Sequence, residues 1–260
     1  MCGETLREVT RIPICRRCLK APEPLSAEYF CATCRTPFQN AFPLDSSGRC
    51  ALCRGGHRGF DEAYCFGAYE GVLRELIHQY KYGKIKTLAR PLGDLLANAL
   101  PRDQEFDAVA PVPLHWRRQW QRGFNQSELL ARAIARRTGI PVVKALRRGK
   151  ATRTQASLSN TGRRRNVAAA FKCKRARLVA GKRILLIDDV MTTGSTAASC
   201  ALALKRAGAR KVVLLTVARV DRRMDGWRRA AVESAAEQSA AEQSAADQSA
   251  ADQFKVEGVS

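Results

Sequence analysis

Two adjacent carboxylates, Asp188 and Asp189, separate an apolar run at residues 184–187 from a loop rich in hydroxyl groups. The carboxylates can accept hydrogen bonds from two hydroxyls of a ribose. The loop can hold a terminal phosphate, because Gly194 allows a tight turn and backbone amides at a helix N-terminus attract anions. Its members are Thr192, Thr193, Gly194, Ser195 and Thr196. Without this loop the two acids could equally cap the next helix or bind a metal; with it, the sequence predicts a sugar-phosphate site.

A second set of chemically active residues is a series of three Cys-x-x-Cys pairs. They are Cys15/Cys18, Cys31/Cys34 and Cys50/Cys53. In a reducing compartment this spacing indicates metal binding rather than disulfide formation. Twelve residues separate the first two pairs, which suits four thiolates around one structural zinc ion. The third pair needs further ligands to bind a second zinc, and His57 and Cys65 are the nearby candidates.

The charge of the chain is strongly positive and unevenly distributed. The formal net charge is +21, and residues 111–183 contain twenty Lys or Arg and one acid, Glu128. Such a region attracts phosphates, pyrophosphate or a nucleic-acid backbone, although it is also compatible with an ordinary solvated surface. Charge alone does not separate a small phosphorylated substrate from DNA.

Several classes of protein are excluded by what the sequence lacks. No run approaches eighteen apolar residues, so a membrane span is not expected. The first residues show no apolar segment typical of a signal peptide, and we therefore expect a cytoplasmic protein. The phosphate-binding motifs of ATPases and dinucleotide enzymes are absent, as is the nucleophile motif of α/β hydrolases.

The elements that position the carboxylates are predicted by apolar spacing. A short strand that runs into a proline-fixed loop is expected at 107–113. Further strands are expected at 184–187 and 212–217, with a helix from about 197 to 207 between them. A strand, helix and strand in this order predict a parallel sheet with a right-handed crossover. Helices are also indicated around 72–77, 88–96 and 127–137, the last with Asn125 or Ser127 as its N-cap.

The remaining segments give a division into domains. Residues 14–60 carry the paired cysteines and have too few apolar residues to fold without a metal. Residues 61–220 form the α/β domain, which includes a long polar loop at 147–166. Residues 226–260 contain four near-identical pentads without an amphipathic face, which indicates a solvated low-complexity tail; a partner-binding role is the alternative.

The motifs, taken in order, resemble those of a known family. Four apolar residues, two acids and Thr-Thr-Gly-x-Thr resemble the signature of type I phosphoribosyltransferases, which bind 5-phosphoribosyl-1-pyrophosphate (PRPP). Arg122-Gly-Phe-Asn-Gln126 and the spacing Gln155-x-x-Leu158-Ser159…Arg163-x-x-Asn166-Val167 resemble the ComF family of competence-associated proteins. That family also carries Cys-x-x-Cys pairs ahead of its transferase domain. This chain departs from it by lacking a fourth pair.

The resemblance covers residues 14–219 and implies an α/β fold: a type I phosphoribosyltransferase-like parallel sheet flanked by helices, after a small zinc-ribbon module and before a low-complexity tail. It implies that Asp188 and Asp189 act on the ribose of PRPP. The loop at 112–115 would face the pyrophosphate, and a flap at 150–166 would bring Arg163 toward it as a further catalytic residue. The implied PRPP ligands are the loop Thr192, Thr193, Gly194, Ser195 and Thr196, the carboxylates, Arg122 and Asn125.

The implied reaction is transfer of a phosphoribosyl group with release of pyrophosphate, assisted by Mg²⁺ and basic side chains. An alternative is a non-catalytic competence factor that uses the fold to bind phosphate or single-stranded DNA, or other competence proteins. A third possibility is a regulator that senses PRPP without turnover. The acceptor of the phosphoribosyl group has no signature in the sequence.

Overall fold

The computed structural model describes residues 2–3, 11–55, 59–149 and 170–220. Four features predicted from the sequence lie outside the described residues. They are the ligand candidate His57, the flap at 150–166, Arg163 within that flap, and the tail at 226–260.

The described residues form eight strands, seven α-helices and two short 3₁₀ helices. The strands are β1 (Tyr29–Phe30), β2 (Pro37–Phe38), β3 (Glu62–Ala68), β4 (Ala108–Pro111), β5 (Leu146–Arg148), β6 (Phe171–Cys173), β7 (Arg183–Met191) and β8 (Lys211–Arg219). The helices are α1 (Arg16–Lys20), α2 (Ala51–Arg54), α3 (Gly71–Lys81), α4 (Ala89–Asn98), α5 (Trp116–Arg122), α6 (Gln126–Thr138) and α7 (Ser195–Arg206), with short 3₁₀ helices at Lys86–Leu88 and Ala176–Leu178.

A parallel sheet forms the centre of the fold. Its strand order is β3-β8-β7-β4, and Val142 extends it by a parallel bridge to Val109 of β4. Ile184 and Leu186 of β7 pack in one core and Leu185 and Ile187 in the other, because successive side chains of a strand point to opposite faces. All four are fully buried, which explains the continuous apolar run in the sequence.

The helices cover both faces of this sheet. The core that contains Ile184 includes the apolar side of α7. The opposite core contains Leu76 of α3, Leu92 of α4 and Leu130 of α6. The predicted α/β class is therefore confirmed, as are the helices expected near 72–77, 88–96, 127–137 and 197–207.

The short strands β1, β2, β5 and β6 were not predicted, and the central sheet differs from the sequence prediction mainly at β7 and β3. β7 extends to Met191 rather than ending at residue 187, because Asp188 and Val190 continue the pairing with Thr216 and Ala218 of β8. β3 was not predicted at all, since its residues mix apolar, charged and small side chains. It forms because its backbone pairs with β8 from Glu62 to Ala68.

The cysteine-rich segment packs directly on the sheet. β1 and β2 form a small antiparallel hairpin on either side of Cys31 and Cys34. The amide of Ala63 in β3 donates to the carbonyl of Thr33 at 2.8 Å, and the amide of Leu25 donates to that of Phe66 at 2.6 Å. The segment thus lies along β3, the edge strand of the parallel sheet.

Candidate functional site

The carboxylate pair lies between two neighbouring strands, β7 and β4, from which the chain continues in opposite directions across the sheet. From β7 the chain crosses through α7 to β8, whereas from β4 it crosses through α6 to Val142 at the opposite edge. In open α/β sheets, ligands bind at such a switch point, outside the carboxyl ends of the strands. Asp188 and Asp189 lie near the carboxyl end of β7, and the loop that follows β4 begins at Val112.

Asp188 is held by two donors from the protein. The hydroxyl of Ser127 in α6 and the amide of Asp189 each donate to Oδ1 of Asp188 at 2.9 Å. Burial and the charge of Asp189 raise the pKa of Asp188 to about 7, against the opposing effect of these hydrogen bonds and of Lys81. A carboxyl group that changes its charge near neutral pH in a crevice is typical of a functional site.

Asp189 is paired with a residue that the sequence prediction missed. Lys81, the last residue of α3, places its Nζ 2.8 Å from Oδ1 of Asp189, and both side chains are only 13% exposed. The neighbouring Tyr80 is buried and donates to the carbonyl of Gln126 at 2.8 Å. Burial and the charge of Asp189 raise the pKa of Tyr80. The only sequence signal for Lys81 is a cation in the last turn of an amphipathic helix.

The predicted phosphate loop joins β7 to α7 and turns tightly. Gly194 has φ of +75°, a left-handed conformation that a residue with a side chain rarely adopts. The hydroxyls of Thr193 and Ser195 lie 2.9 Å apart, and both side chains are exposed. A small cavity of about 40 Å³ lies at this turn. Its lining includes Asp188, Met191, Thr192, Gly194, Ser195 and Thr196.

Both polar atoms of the Asn125 side chain form hydrogen bonds within the protein. Its Oδ1 accepts from the amide of Ser127 at 3.1 Å, which confirms Asn125 as the N-cap of α6. Its Nδ2 donates to the carbonyl of Val112 at 3.1 Å. Asn125 is predicted from sequence to contact PRPP; in the structure its side chain links Ser127 to the loop after β4.

Arg122 lies in a cleft on the side of Lys81. It donates to Oε1 of Gln126 at 3.2 Å and to the hydroxyl of Tyr82 at 3.3 Å, and its guanidinium stacks 4.9 Å from the centre of the Tyr82 ring. The cleft has a volume of about 340 Å³. It is lined by Lys81, Tyr82, Lys84, Gln121 and Arg122.

Four cysteines form a compact buried cluster: Cys31, Cys34, Cys50 and Cys53, whose sulfur atoms all lie within 4.8 Å of one another. Zn–S bonds of about 2.3 Å place the sulfurs of a tetrahedral site about 3.8 Å apart, and Cys34 and Cys50 are 3.7 Å apart. Hydrogen bonds from Cys31, Cys53 and Thr36 hold the pKa of Cys34 well below its usual value. The cluster can therefore hold a zinc ion.

The pairing of cysteines predicted from their spacing is wrong. Cys15 and Cys18 do not join Cys31 and Cys34, because Cys18 packs on the opposite face of the sheet, with Leu73 and Leu76 of α3. The second and third pairs meet instead, since the amide of Cys50 donates to the sulfur of Cys31 at 3.3 Å. Cys65, a predicted candidate for the third pair, is not part of this cluster.

A buried arginine connects the cysteine cluster to the sheet. Arg219, at the end of β8, donates to the carbonyl of Cys34 at 2.7 Å and to the hydroxyl of Thr36 at 2.6 Å. The hydroxyl of Thr36 lies 2.9 Å from the sulfur of Cys34. Since the guanidinium donates to Thr36, the hydroxyl proton of Thr36 is available to the sulfur.

Comparison with known proteins places this geometry in a family. The family model of the phosphoribosyl transferase domain matches residues 125–248. The chain is 39% identical over 151 residues to the DNA utilization protein YhgH of Escherichia coli (strain K12), a match that spans 55% of this chain and 66% of that protein, just under two thirds. It is 33% identical over 179 residues to Competence protein F of Haemophilus influenzae, across 65% of this chain and 78% of that protein.

The chain is also similar to a solved structure, the glutamine PRPP amidotransferase from B. subtilis complexed with ADP and GMP. The identity is 27%, the TM-score is 0.38, and the match covers 50% of this chain and 26% of that one.

No helix among the described residues is long and apolar enough to cross a membrane. The match to most of Competence protein F, together with the transferase-domain match, shows that the chain belongs to the ComF family of phosphoribosyltransferase-like proteins.

Proposed function

We propose that this chain binds PRPP at the carboxyl ends of β4 and β7 and, with Mg²⁺, transfers the phosphoribosyl group to an acceptor with release of pyrophosphate. The observation that carries the proposal is the position of Asp188 and Asp189 beside the turn at Gly194, at the switch point of the sheet. The carboxylates would accept hydrogen bonds from the ribose hydroxyls, and the loop Thr192 to Thr196 would hold the 5-phosphate.

In the proposed reaction, the bond between C1 of the ribose and the pyrophosphate oxygen breaks. Pyrophosphate leaves with the bonding electrons, and a lone pair of the acceptor forms the new bond at C1. The sugar resembles an oxocarbenium ion at the transition state, as in glycoside hydrolysis. The protein's contribution is to orient PRPP and to neutralise the departing pyrophosphate. Lys81 is suited to neutralising the pyrophosphate because its contact with Asp189 keeps its positive charge at the site. We assign Arg163 the same role.

The described residues suit a magnesium ion that arrives with its substrate. No group of three or more His, Cys, Asp or Glu forms around Asp188 and Asp189 among the described residues. Mg²⁺ commonly keeps several waters and binds through one or two carboxylates and substrate phosphates, so a cage of protein ligands is not required. When bound, the ion would supply positive charge to the pyrophosphate.

We further propose that Cys31, Cys34, Cys50 and Cys53 hold a structural zinc ion. All four are buried, which leaves no open position for a substrate. None of these four cysteines forms a disulfide, and thiolate ligands persist in a reducing compartment. We therefore propose a cytoplasmic location.

Calorimetry with PRPP and Mg²⁺ tests the proposed site. Asp188→Asn and Asp189→Asn should each weaken PRPP binding by about 10- to 100-fold, because a hydrogen bond to a charged group contributes roughly 1.5–3 kcal/mol. Asp94→Asn is the matched control, since Asp94 is a half-exposed partner of Arg137 in a different part of the domain. Absence of binding by the wild type at millimolar PRPP, or equal binding by the three variants, contradicts the proposal. Pyrophosphate release across a panel of bases, ammonia and nucleic acids then separates turnover from binding alone.

A second candidate function is favoured by the cleft beside the carboxylates. Its cations Lys81, Lys84 and Arg122 surround Tyr82, which is 58% exposed and offers a ring face to a base. The E. coli relative is named a DNA utilization protein. In this alternative, the chain handles single-stranded nucleic acid without catalysis.

Fluorescence anisotropy with a labelled single strand tests the alternative. Binding should weaken steeply as salt increases, and Lys84→Gln should reduce both the affinity and the salt dependence. Lys174→Gln is the control, because Lys174 is exposed and lies outside the cleft. Binding that is insensitive to salt or equally affected by both substitutions argues against the cleft as the interface.

A further inference from the structure

The cleft beside the carboxylates has a lining that suits an anion. Three of the five described residues that line it are cations, and none of the five is an acid. The charge of Lys81 is shared with Asp189, whereas Lys84 and Arg122 form no ion pair within the part of the chain that the structure describes. Two positive charges are therefore available to a ligand, and a cleft lined by charges of one sign concentrates ligands of the opposite sign.

The guanidinium of Arg122 is held in place by the protein itself. It donates to Oε1 of Gln126 and to the hydroxyl of Tyr82, and it stacks on the Tyr82 ring. Gln126 is only 1% exposed, and its carbonyl accepts a hydrogen bond from the buried Tyr80, so this support is fixed by the core. The contacts use two of the five N–H groups of a guanidinium, which leaves three for a ligand. A planar cation with free donors matches the two oxygens of a carboxylate.

The second available cation, Lys84, lies in a strained turn at the cleft. Its φ is +55°, in the left-handed region that glycine adopts more easily than a residue with a side chain. The turn follows α3 and is closed by the amide of Ile85, which donates to the carbonyl of Gln79 at 3.4 Å. Strained backbone of this kind is concentrated at functional sites. Here the strain keeps an exposed cation beside Arg122.

The size and position of the cleft favour a small molecule next to the ribose. Its volume of about 340 Å³ is near the lower end of the range for small-molecule pockets, about 300–1,000 Å³, and suits a single ring with its substituents. A nucleic-acid strand needs a groove that extends over several nucleotides. Because Lys81 both lines the cleft and contacts Asp189, a ligand in the cleft lies beside the proposed ribose site.

We propose that this cleft binds the acceptor, and that the acceptor is a small planar acid: one ring that carries a carboxylate and a nucleophilic nitrogen. This inference rests on the proposed PRPP site. The nitrogen supplies the electron pair of the new bond to C1, while the bond from C1 to the pyrophosphate oxygen breaks and pyrophosphate leaves with its electrons. A proton on the attacking nitrogen passes to solvent. Arg122 and Lys84 bind the carboxylate and so select the acid over the neutral amide of the same ring.

Calorimetry with benzoate and benzamide tests the binding step. Neither compound carries a ring nitrogen or an amine, so the titration can be made on the chain saturated with PRPP and Mg²⁺. The wild type should bind benzoate at least about tenfold more tightly than benzamide, and Lys84→Gln and Arg122→Gln should each weaken benzoate binding by about tenfold. Lys84→Gln should keep the wild-type affinity for PRPP. Lys174→Gln is the matched control, because Lys174 is exposed and lies outside the cleft.

Pyrophosphate release tests the transfer step with two matched pairs of acceptors. Nicotinate and anthranilate should stimulate release from PRPP, whereas nicotinamide and 2-aminobenzamide should not, although each pair shares its ring and its nitrogen. PRPP binding without acid-stimulated release, or equal stimulation by acids and amides, overturns the inference and leaves the PRPP site intact. Failure of the wild type to bind PRPP in calorimetry without any acceptor removes the proposed function itself.

Two further results would assign the cleft to another ligand and overturn the inference. Equal losses of PRPP and benzoate affinity in Lys84→Gln would mean that the cleft holds the pyrophosphate of PRPP. A loss of affinity for a single-stranded oligonucleotide, with benzoate binding unchanged, would mean that the cleft holds nucleic acid. Because Lys84 is exposed, its substitution leaves the core intact, and each of these results can be interpreted.

Discussion

The buried cysteine cluster and the carboxylate pair both bring ionisable groups together, but they differ in what surrounds them. The four cysteines are at most 5% exposed and are enclosed by the same core as Phe60 and Ala63. Asp188 and Asp189 are partly exposed near the open end of the sheet, beside a cavity. A closed site can hold only a permanent ion, whereas an open one can exchange a ligand. We therefore expect the buried cluster to serve stability and the open end of the sheet to serve binding.

Arg219 provides a physical connection between the two regions. It is buried and belongs to none of the ion pairs among the described residues, although a buried charge normally requires a partner. Four thiolates and Zn²⁺ carry a net charge of about −2, which would compensate the guanidinium. Arg219 is also paired in register with Met191, the residue before the phosphate loop. The end of β8 is thus anchored on the turn that contains Cys34 and Thr36, and it is aligned with the strand that carries the carboxylates.

The largest effect should follow from removing a ligand of the buried cluster. Cys34→Ser should unfold the whole described domain rather than only the cysteine-rich segment, because the cluster is continuous with the core of the sheet. A structural zinc supplies about 10–16 kcal/mol in small zinc-binding peptides. This is comparable to the about 5–15 kcal/mol that stabilises a typical domain.

Circular dichroism during thermal unfolding measures this effect. Cys173→Ser is the control, because Cys173 lies outside the buried cluster, and it should keep the wild-type melting temperature to within a few degrees. A cooperative transition that survives in Cys34→Ser would show that the sheet folds without the buried cysteine cluster. The sheet and the cysteine-rich segment would then be separate folding units.

A smaller loss of stability is expected from Arg219→Met. A hydrogen bond donated by a charged group contributes roughly 1.5–3 kcal/mol, so losing two of them should lower the free energy of unfolding by about 3–6 kcal/mol. Here the hydroxyl of Thr36 and the carbonyl of Cys34 lose their donor. Arg219→Lys should recover part of the loss, since it keeps the charge but cannot donate to both oxygens from a planar group.

Urea denaturation and the rate of zinc release to a chelator should change together in the Arg219 variants. If Arg219 balances the charge of the metal site, Arg219→Met should release zinc faster than the wild type does. Arg219→Lys should release zinc more slowly than Arg219→Met. Normal zinc retention with reduced stability would mean that Arg219 serves packing alone and that no charge links the two regions.

Sequence reasoning predicted the local structure where the candidate site residues are contiguous, and it failed where the fold brings distant residues together. The carboxylates and the loop at Gly194 occupy nine successive residues, and their strand and helix follow from apolar spacing. Lys81 lies more than a hundred residues earlier and reaches Asp189 only because α3 packs against the sheet. The cysteine pairing failed for the same reason, since spacing does not encode the face on which α1 packs.

Removing the cation of the open site should change binding more than stability. Lys81→Met should weaken PRPP binding by about tenfold, equivalent to about 1.4 kcal/mol, since it removes one positive charge from the site. The melting temperature should fall little, because water can reach Asp189 in place of Lys81. Lys205→Met is the control, since Lys205 forms an ion pair of the same length with Asp61 outside the site. A large loss of stability with unchanged binding would reverse the assignment of roles.

The smallest effect concerns the protonation of Asp188. Its pKa is raised to about 7 by burial and by Asp189, so the folded empty protein holds a proton that the unfolded chain, with a carboxyl pKa of about 3.9, releases. The unfolded state binds fewer protons between these values, so the stability of the empty protein should decrease as pH rises from about 4 to about 7 and then level off. PRPP binding should show the opposite trend, because ribose hydroxyls donate best to an ionised carboxylate.

The affinity for PRPP should therefore rise by up to about tenfold between pH 6 and pH 7 and change little above pH 8, since one unit of pH is a factor of ten for a single proton. Ser127→Ala removes a donor that lowers the pKa of Asp188, so its profile should shift to higher pH. Asp188→Asn separates this effect from titration of the substrate phosphates, whose second pKa is about 6, because only the substrate still titrates in that variant. If calorimetry gives the same pH profile for wild type and Asp188→Asn, the carboxylate is not the group that controls binding, and the open site depends on Asp189 and the phosphate loop alone.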